Sequence, residues 1–114
     1  MHEVSIAQSI LDTAVAECLR ADFRRINSIS LRIGRSSGVN IPSLVTAFDI
    51  VKADTIAAGA TLVCEEVPVR GHCLDCNSDF DAESELITSC PACNGARFRI
   101  CGGRELDIME IDVD

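Results

Sequence analysis

Cys73-Leu74-Asp75-Cys76 and, after a gap of thirteen residues, Cys90-Pro91-Ala92-Cys93 decide how this chain is organised. Two residues between paired cysteines let both sulfurs reach one ion from a tight turn. Two such turns complete a tetrahedral set of four thiolates, the set that zinc favours. The residues between the pairs suffice for a short hairpin carrying Phe80, Leu86 and Ile87. Asn77 after the first turn, and Asn94-Gly95 after the second, suit the positive φ by which the chain leaves such a turn. Four thiolates leave no open position for water, so the site expected of Cys73, Cys76, Cys90 and Cys93 is a closed, structural Zn(II) site. Redox chemistry fits less well. That motif stands once, beside a βαβ unit, whereas here it is doubled in a stretch rich in Gly and Asn.

Residues 71–101 hold few large apolar side chains and cannot build a core of their own. Regular patterns return on both sides. Upstream, Ile6, Ala7, Ile10, Leu11, Ala14, Val15, Cys18 and Leu19 recur at the spacing of one helical face. Ser5 with Gln8 forms a capping box, which leaves Met1-His2-Glu3-Val4 as an extended lead. Ile29, Leu31 and Ile33 alternate with polar residues as a strand ending at Gly34. Pro42 opens a second helix with Leu44, Ala47, Phe48 and Val51 on its apolar side, and Gly59 closes that unit. A second strand covers Thr61–Val69, with Pro68 pointing to an edge or a strand end. Downstream, Leu106 to Val113 alternate with acids and slip by one between Ile108 and Met109, the signature of a bulge. The fold class expected is α+β: a small three-stranded sheet with two helices on one face, plus an inserted zinc-ribbon domain. Residues 1–70 and 102–114 form the discontinuous first domain and 71–101 the ribbon.

Composition narrows the function. The chain has 114 residues, 47% hydrophobic but only 4% aromatic, with no Trp or Tyr, so its core is aliphatic. Its formal charge is -8, and zinc held by four thiolates makes it more negative still. Such a surface repels nucleic acid. No stretch approaches the roughly 18 apolar residues of a membrane span, and no export signal is recognisable. Seven cysteines, an odd number, in a chain expected in the cytoplasm read as metal ligands plus buried thiols. No Ser-His-Asp set is available with two histidines, and Gly34-Arg35-Ser36-Ser37-Gly38 lacks the Lys-Ser or Lys-Thr of a phosphate loop, so no enzyme is expected.

A second metal site is suggested at the chain start. The Met1 amine, the His2 amide nitrogen and the His2 imidazole can close a five- and then a six-membered chelate ring, and Glu3 adds an amide nitrogen or a carboxylate. Nitrogen-rich, near-planar sets of this kind suit Ni(II) or Cu(II). Protons compete for the same atoms, so affinity falls as pH drops past the usual imidazole range near ~6.5. His72, beside Cys73, is either a metal ligand or a loop histidine. Cys18 and Cys64 read as small buried hydrophobes, and Cys101 has no assigned role.

Met1-His2-Glu3-Val4-Ser5-Ile6-Ala7-Gln8, the Ile33-Gly34 turn, the two cysteine pairs and Gly103-Arg104-Glu105-Leu106 together resemble the HypA/HybF family of hydrogenase-maturation nickel chaperones. The likeness runs in order over essentially the whole chain. It implies a nickel metallochaperone in which Met1, His2 and Glu3 hold Ni(II) as cargo while Cys73, Cys76, Cys90 and Cys93 hold structural Zn(II). It further implies delivery during [NiFe]-hydrogenase maturation, with a HypB-type GTPase and the hydrogenase large subunit as partners, and urease maturation proteins in some bacteria. Arg104 and Glu105 match a motif whose bland reading is a salt bridge at a strand start. The rival expectation is a zinc-ribbon protein-interaction module with no second metal. Either a monomer or a domain-swapped dimer is compatible with an inserted ribbon on short linkers.

Overall fold

The computed structural model describes residues 2–82 and 87–114. Within them the chain runs α1 (His2–Arg20), β1 (Ile26–Gly34), α2 (Ile41–Val51), β2 (Thr61–Val67), β3 (Val69–Cys73), β4 (Asp79–Ala82), β5 (Phe98–Gly102) and β6 (Leu106–Val113). The strands make two sheets of three, ordered β2-β1-β6 and β4-β3-β5. Two helices and a three-stranded sheet from both ends of the chain, with a cysteine-bearing insert before the last strand, is the α+β architecture expected. Leu86, expected in the hairpin between the cysteine pairs, lies outside the described residues.

The chain folds as two compact units: Met1–Arg32 with Val39–Glu65 and Asp107–Asp114, and Ile33–Gly38 with Glu66–Leu106. The boundaries read from the sequence, 71 and 101, both fall inside the second unit.

In the first unit the apolar face of α1 buries Ala7, Ile10, Leu11, Ala14 and Cys18. Leu19, counted on that face from its spacing, is 55% exposed, one position past the last turn that packs. The start of α1 also differs from expectation. The helix begins at His2, not after Ser5, so no extended lead precedes it. Glu3 in the first turn complements the helix dipole, and its Oε2 accepts the Asn40 backbone N–H at 3.2 Å, which ties the chain start to α2. Gln8 is not part of a capping box; its Nε2 donates to Asp12 Oδ1 at 2.8 Å.

Asn40 is the N-cap of α2, its side chain accepting from the Ser43 N–H at 3.0 Å, with Pro42 in the first turn as its fixed φ favours. Leu44, Ala47 and Phe48 are the buried side of α2. Phe48 is wholly buried with Leu11, Ile26, Ile29 and Leu31, so the core is aliphatic around one ring. Lys52 ends the helix over that ring, 5.9 Å from its centroid, and its Nζ donates to the Ala60 carbonyl at 2.9 Å. In β6, Ile108, Ile111 and Val113 are half-buried while Met109 and Glu110 are both exposed, so the alternation slips by one residue at that point.

The strand expected over Thr61–Val69 is divided at Pro68. β2 ends at Val67 and β3 opens at Val69 in the other sheet. Proline supplies no N–H for a ladder, which makes it a natural point for the chain to change sheets. The second unit then closes on a backbone contact. Gly34 donates to the Glu105 carbonyl at 2.7 Å and Ser36 to the Gly103 carbonyl at 2.6 Å. A Cβ on Gly34 would collide with the Gly103 carbonyl group, and one on Gly103, whose φ is +107, with the Val69 backbone. Gly34→Ala is therefore expected to cost about 3 kcal/mol through forced backbone movement, read as a lower urea midpoint at an unchanged slope.

Candidate metal centre

β3 delivers Cys73 at its C-terminal end, and the turn that follows returns Cys76. The two cysteine turns share one pattern of bonds. In the first, the Cys73 N–H donates to the Ser78 carbonyl at 2.9 Å and the Asn77 N–H to the Cys73 carbonyl at 3.0 Å. In the second, Cys90 donates to Gly95 at 2.9 Å and Asn94 to Cys90 at 2.8 Å. Asn77 and Asn94 take φ of 59° and 58°, the left-handed conformation that asparagine tolerates and that each turn needs. Backbone N–H groups also point at sulfur: Cys76 toward Cys73 Sγ at 3.5 Å and Gly95 toward Cys93 Sγ at 3.4 Å. A side chain at Gly95 would strike Asp75 Oδ2 and crowd Cys93 Sγ.

The four sulfurs converge. Cys73 and Cys93 are 3.5 Å apart, Cys76 and Cys90 3.8 Å, and all four lie within 4.8 Å of one another. Four sulfurs bound to zinc at about 2.3 Å stand about 3.8 Å apart, so the cluster fits a tetrahedral ion. Cys73 and Cys90 are fully buried and Cys76 and Cys93 exposed, so the site sits at the surface with two ligands on its inner side. Hydrogen bonds from Ser78, then from Cys73, hold Cys76 down to about 6. The Gly95 N–H favours the Cys93 thiolate, but the hydrogen bond with Cys73 and desolvation outweigh it and push that thiol up to about 12. Zinc uptake near neutral pH must therefore expel the Cys93 proton, and affinity rises with pH.

His72 is not drawn into the cluster. Its Nδ1–H donates to Asp79 Oδ1 at 2.6 Å across the β3–β4 ladder, and the metal-capable group found among the described residues consists of the four cysteines. Cys18 is buried, and burial followed by the charge of Glu17 raises its thiol pKa; Cys64 is half-buried and raised by burial. Cys101 is exposed on β5. Glu105 does not make the salt bridge suggested for it. Its Oε1 accepts the Gly103 N–H at 2.6 Å, and Arg104 forms no ion pair among the described residues. The loop resembling a phosphate cradle has its amides committed: Arg35 donates to Val67 and Ser37 to Gly34, while the Arg35 guanidinium lies 3.0 Å from Glu66.

At the chain start, Glu3 is held by the α2 N-cap as described. Met1 and the His2 side chain lie outside what the structure describes.

Paired cysteine turns on a small antiparallel sheet, set in an α+β chain with two helices, define a two-unit protein with a cluster of four cysteines that fits zinc. The profile of the HypA family, described as hydrogenase/urease nickel incorporation, metallochaperone, matches residues 1–113. Hydrogenase maturation factor HypA of Syntrophus aciditrophicus is 38% identical over 115 residues, covering all of both chains. That of Synechococcus elongatus is 36% identical over 113 residues, 99% of each. The chain belongs to the HypA family. Among solved structures, the solution structure of the Ni metallochaperone HypA from Helicobacter pylori superposes with a TM-score of 0.68 at 20% identity, over 97% of this chain and 96% of that one. A second HypA solution structure gives 0.74 at 22% identity, over 99% and 96%. At these identities the likeness bears on the fold.

Proposed function

We propose that this protein is a nickel metallochaperone that takes up Ni(II) at Met1, His2 and Glu3 and hands it on during [NiFe]-hydrogenase maturation, with Zn(II) held by Cys73, Cys76, Cys90 and Cys93. The observation that carries the reading is full-length membership of a nickel-incorporation family, together with four clustered cysteines that fit zinc. That cluster engages four of the chain's thiolates and leaves nitrogen and oxygen donors for a second ion.

The helical chain start supports it. The first amides of a helix have no carbonyl partner within the helix, so a metal can displace a proton from the His2 or Glu3 nitrogen without breaking a helical hydrogen bond. The Glu3 carboxylate, already steadied by Asn40, is aimed by a fixed element rather than a loose tail. A carrier needs to release its ion, and an open terminal chelate exchanges ligands more readily than a closed cage. No catalytic group is required. A HypB-type GTPase, the hydrogenase large subunit and urease maturation proteins are the partners that go with this reading, and the cytoplasm is its compartment. In this reading the division of labour follows 1–70 with 102–114 for nickel and 71–101 for zinc.

X-ray absorption at the nickel edge of protein loaded with both metals tests the assignment. The expected first shell holds nitrogen and oxygen with an imidazole signature. Nickel bound to sulfur would end the proposal.

A further inference from the structure

β6 closes one side of the order β2-β1-β6, so one of its edges carries no strand among the described residues. Such an edge presents N–H and C=O groups ready to pair, and proteins usually blunt it with Lys, Pro or a very short strand. β6 has eight residues, with neither Lys nor Pro among them. Its exposed side chains include Asp107, Glu110 and Asp112, none of which forms an ion pair among the described residues. Elsewhere the pattern differs: Glu65, Glu66 and Asp81 each face an arginine within 4 Å. Basic residues lie at its far end, where Arg24 and Arg25 exchange backbone bonds with Asp114, and on the neighbouring β1, where the Arg32 guanidinium reaches Glu65 at 3.8 Å. Met109, 51% exposed, lies among the carboxylates as an apolar contact.

We infer that the free edge of β6, from Asp107 to Asp112, receives an extended, lysine- or arginine-rich segment of a partner polypeptide as an added strand. Main-chain pairing supplies affinity, and cross-strand charge pairs select the occupant. The same charges disfavour other occupants. A second copy would set these carboxylates against their own kind on a chain of net charge -8, and nucleic acid is repelled. This inference stands apart from the nickel assignment, because none of these residues belongs to either proposed metal site.

The test titrates the full zinc-loaded chain with a short fluorescein-labelled peptide alternating lysine and valine, followed by anisotropy. Saturable binding is expected. The triple variant D107K/E110K/D112K should weaken it by about tenfold, the combined effect of losing several exposed charge pairs. A peptide of the same sequence methylated on alternate backbone nitrogens should fail to bind, since it keeps the charge but cannot pair along the edge. Equal binding of the methylated peptide, of a glutamate-for-lysine counterpart, or by the triple variant would overturn the proposal. Should the triple variant lose its native circular dichroism, the milder E110Q/D112N serves, with a smaller weakening expected and unchanged binding again overturning it.

Discussion

Removing zinc with a chelator is expected to melt the second unit while the first stays folded. Among the described residues, buried apolar support in the second unit is thin: Ile33 and Val69 are its fully buried aliphatic side chains, and Cys73 and Cys90 fill much of the rest. The Phe80 and Phe98 rings meet edge to face at 6.3 Å but remain half-exposed. Zinc binding to such small domains is worth about 10–16 kcal/mol at neutral pH, far more than this packing offers. Amide hydrogen exchange reads the result. Cys73, Cys90 and Asn94, whose amides are bonded within the cysteine turns, should lose protection on chelation. The α2 amides around Phe48, over an intact aliphatic core, should keep theirs. Cys73→Ser should lower zinc affinity by more than about 100-fold, since loss of a second-shell partner alone costs about 10–100-fold. Simultaneous loss of protection in both units would show instead that they fold as one.

The second large effect is expected at the chain start. Titration of zinc-loaded protein with Ni(II) should reveal one tight site, and His2→Ala should weaken it by at least about 100-fold, because a direct ligand is lost. An N-terminal tag should do the same by engaging the free amine while leaving His2 in the sequence. Zinc content should stay near one ion per chain in all three forms. Affinity should fall as pH drops, since protons then compete for the amine, the amide and the imidazole. Equal, weak nickel binding by all three would leave a zinc-ribbon interaction module as the better description.

Much of this was legible in the sequence because it is local. The α1 stripe, the Pro42 helix start and the two asparagines with positive φ each follow from a residue and its near neighbours. So does the convergence of the four cysteines, whose spacing is itself the signal. Asn40 was a missed cap that its position just ahead of Ile41-Pro42 could have revealed. The start of α1 departs from expectation because Ser5 and Gln8 match a capping pattern, whereas the contact that fixes the terminus, Glu3 to Asn40, joins residues 37 apart in sequence. β5 carried no periodic signal: Phe98 and Gly102 are half-buried and the three residues between them exposed, so register with β3 defines it. The meeting of Gly34 with Gly103 was beyond reach for the same reason, since only the assembled fold brings the two backbones together.

The matching bonds within the two cysteine turns bear on how the ion arrives. Each half-site has its own internal scaffold, so either can be in shape before the other is present. Capture is then expected to begin with one pair of sulfurs and finish when its twin swings in, a clasp fastened in two movements. Stopped-flow uptake should accordingly show a fast concentration-dependent phase followed by a slower one that no longer depends on how much metal is supplied.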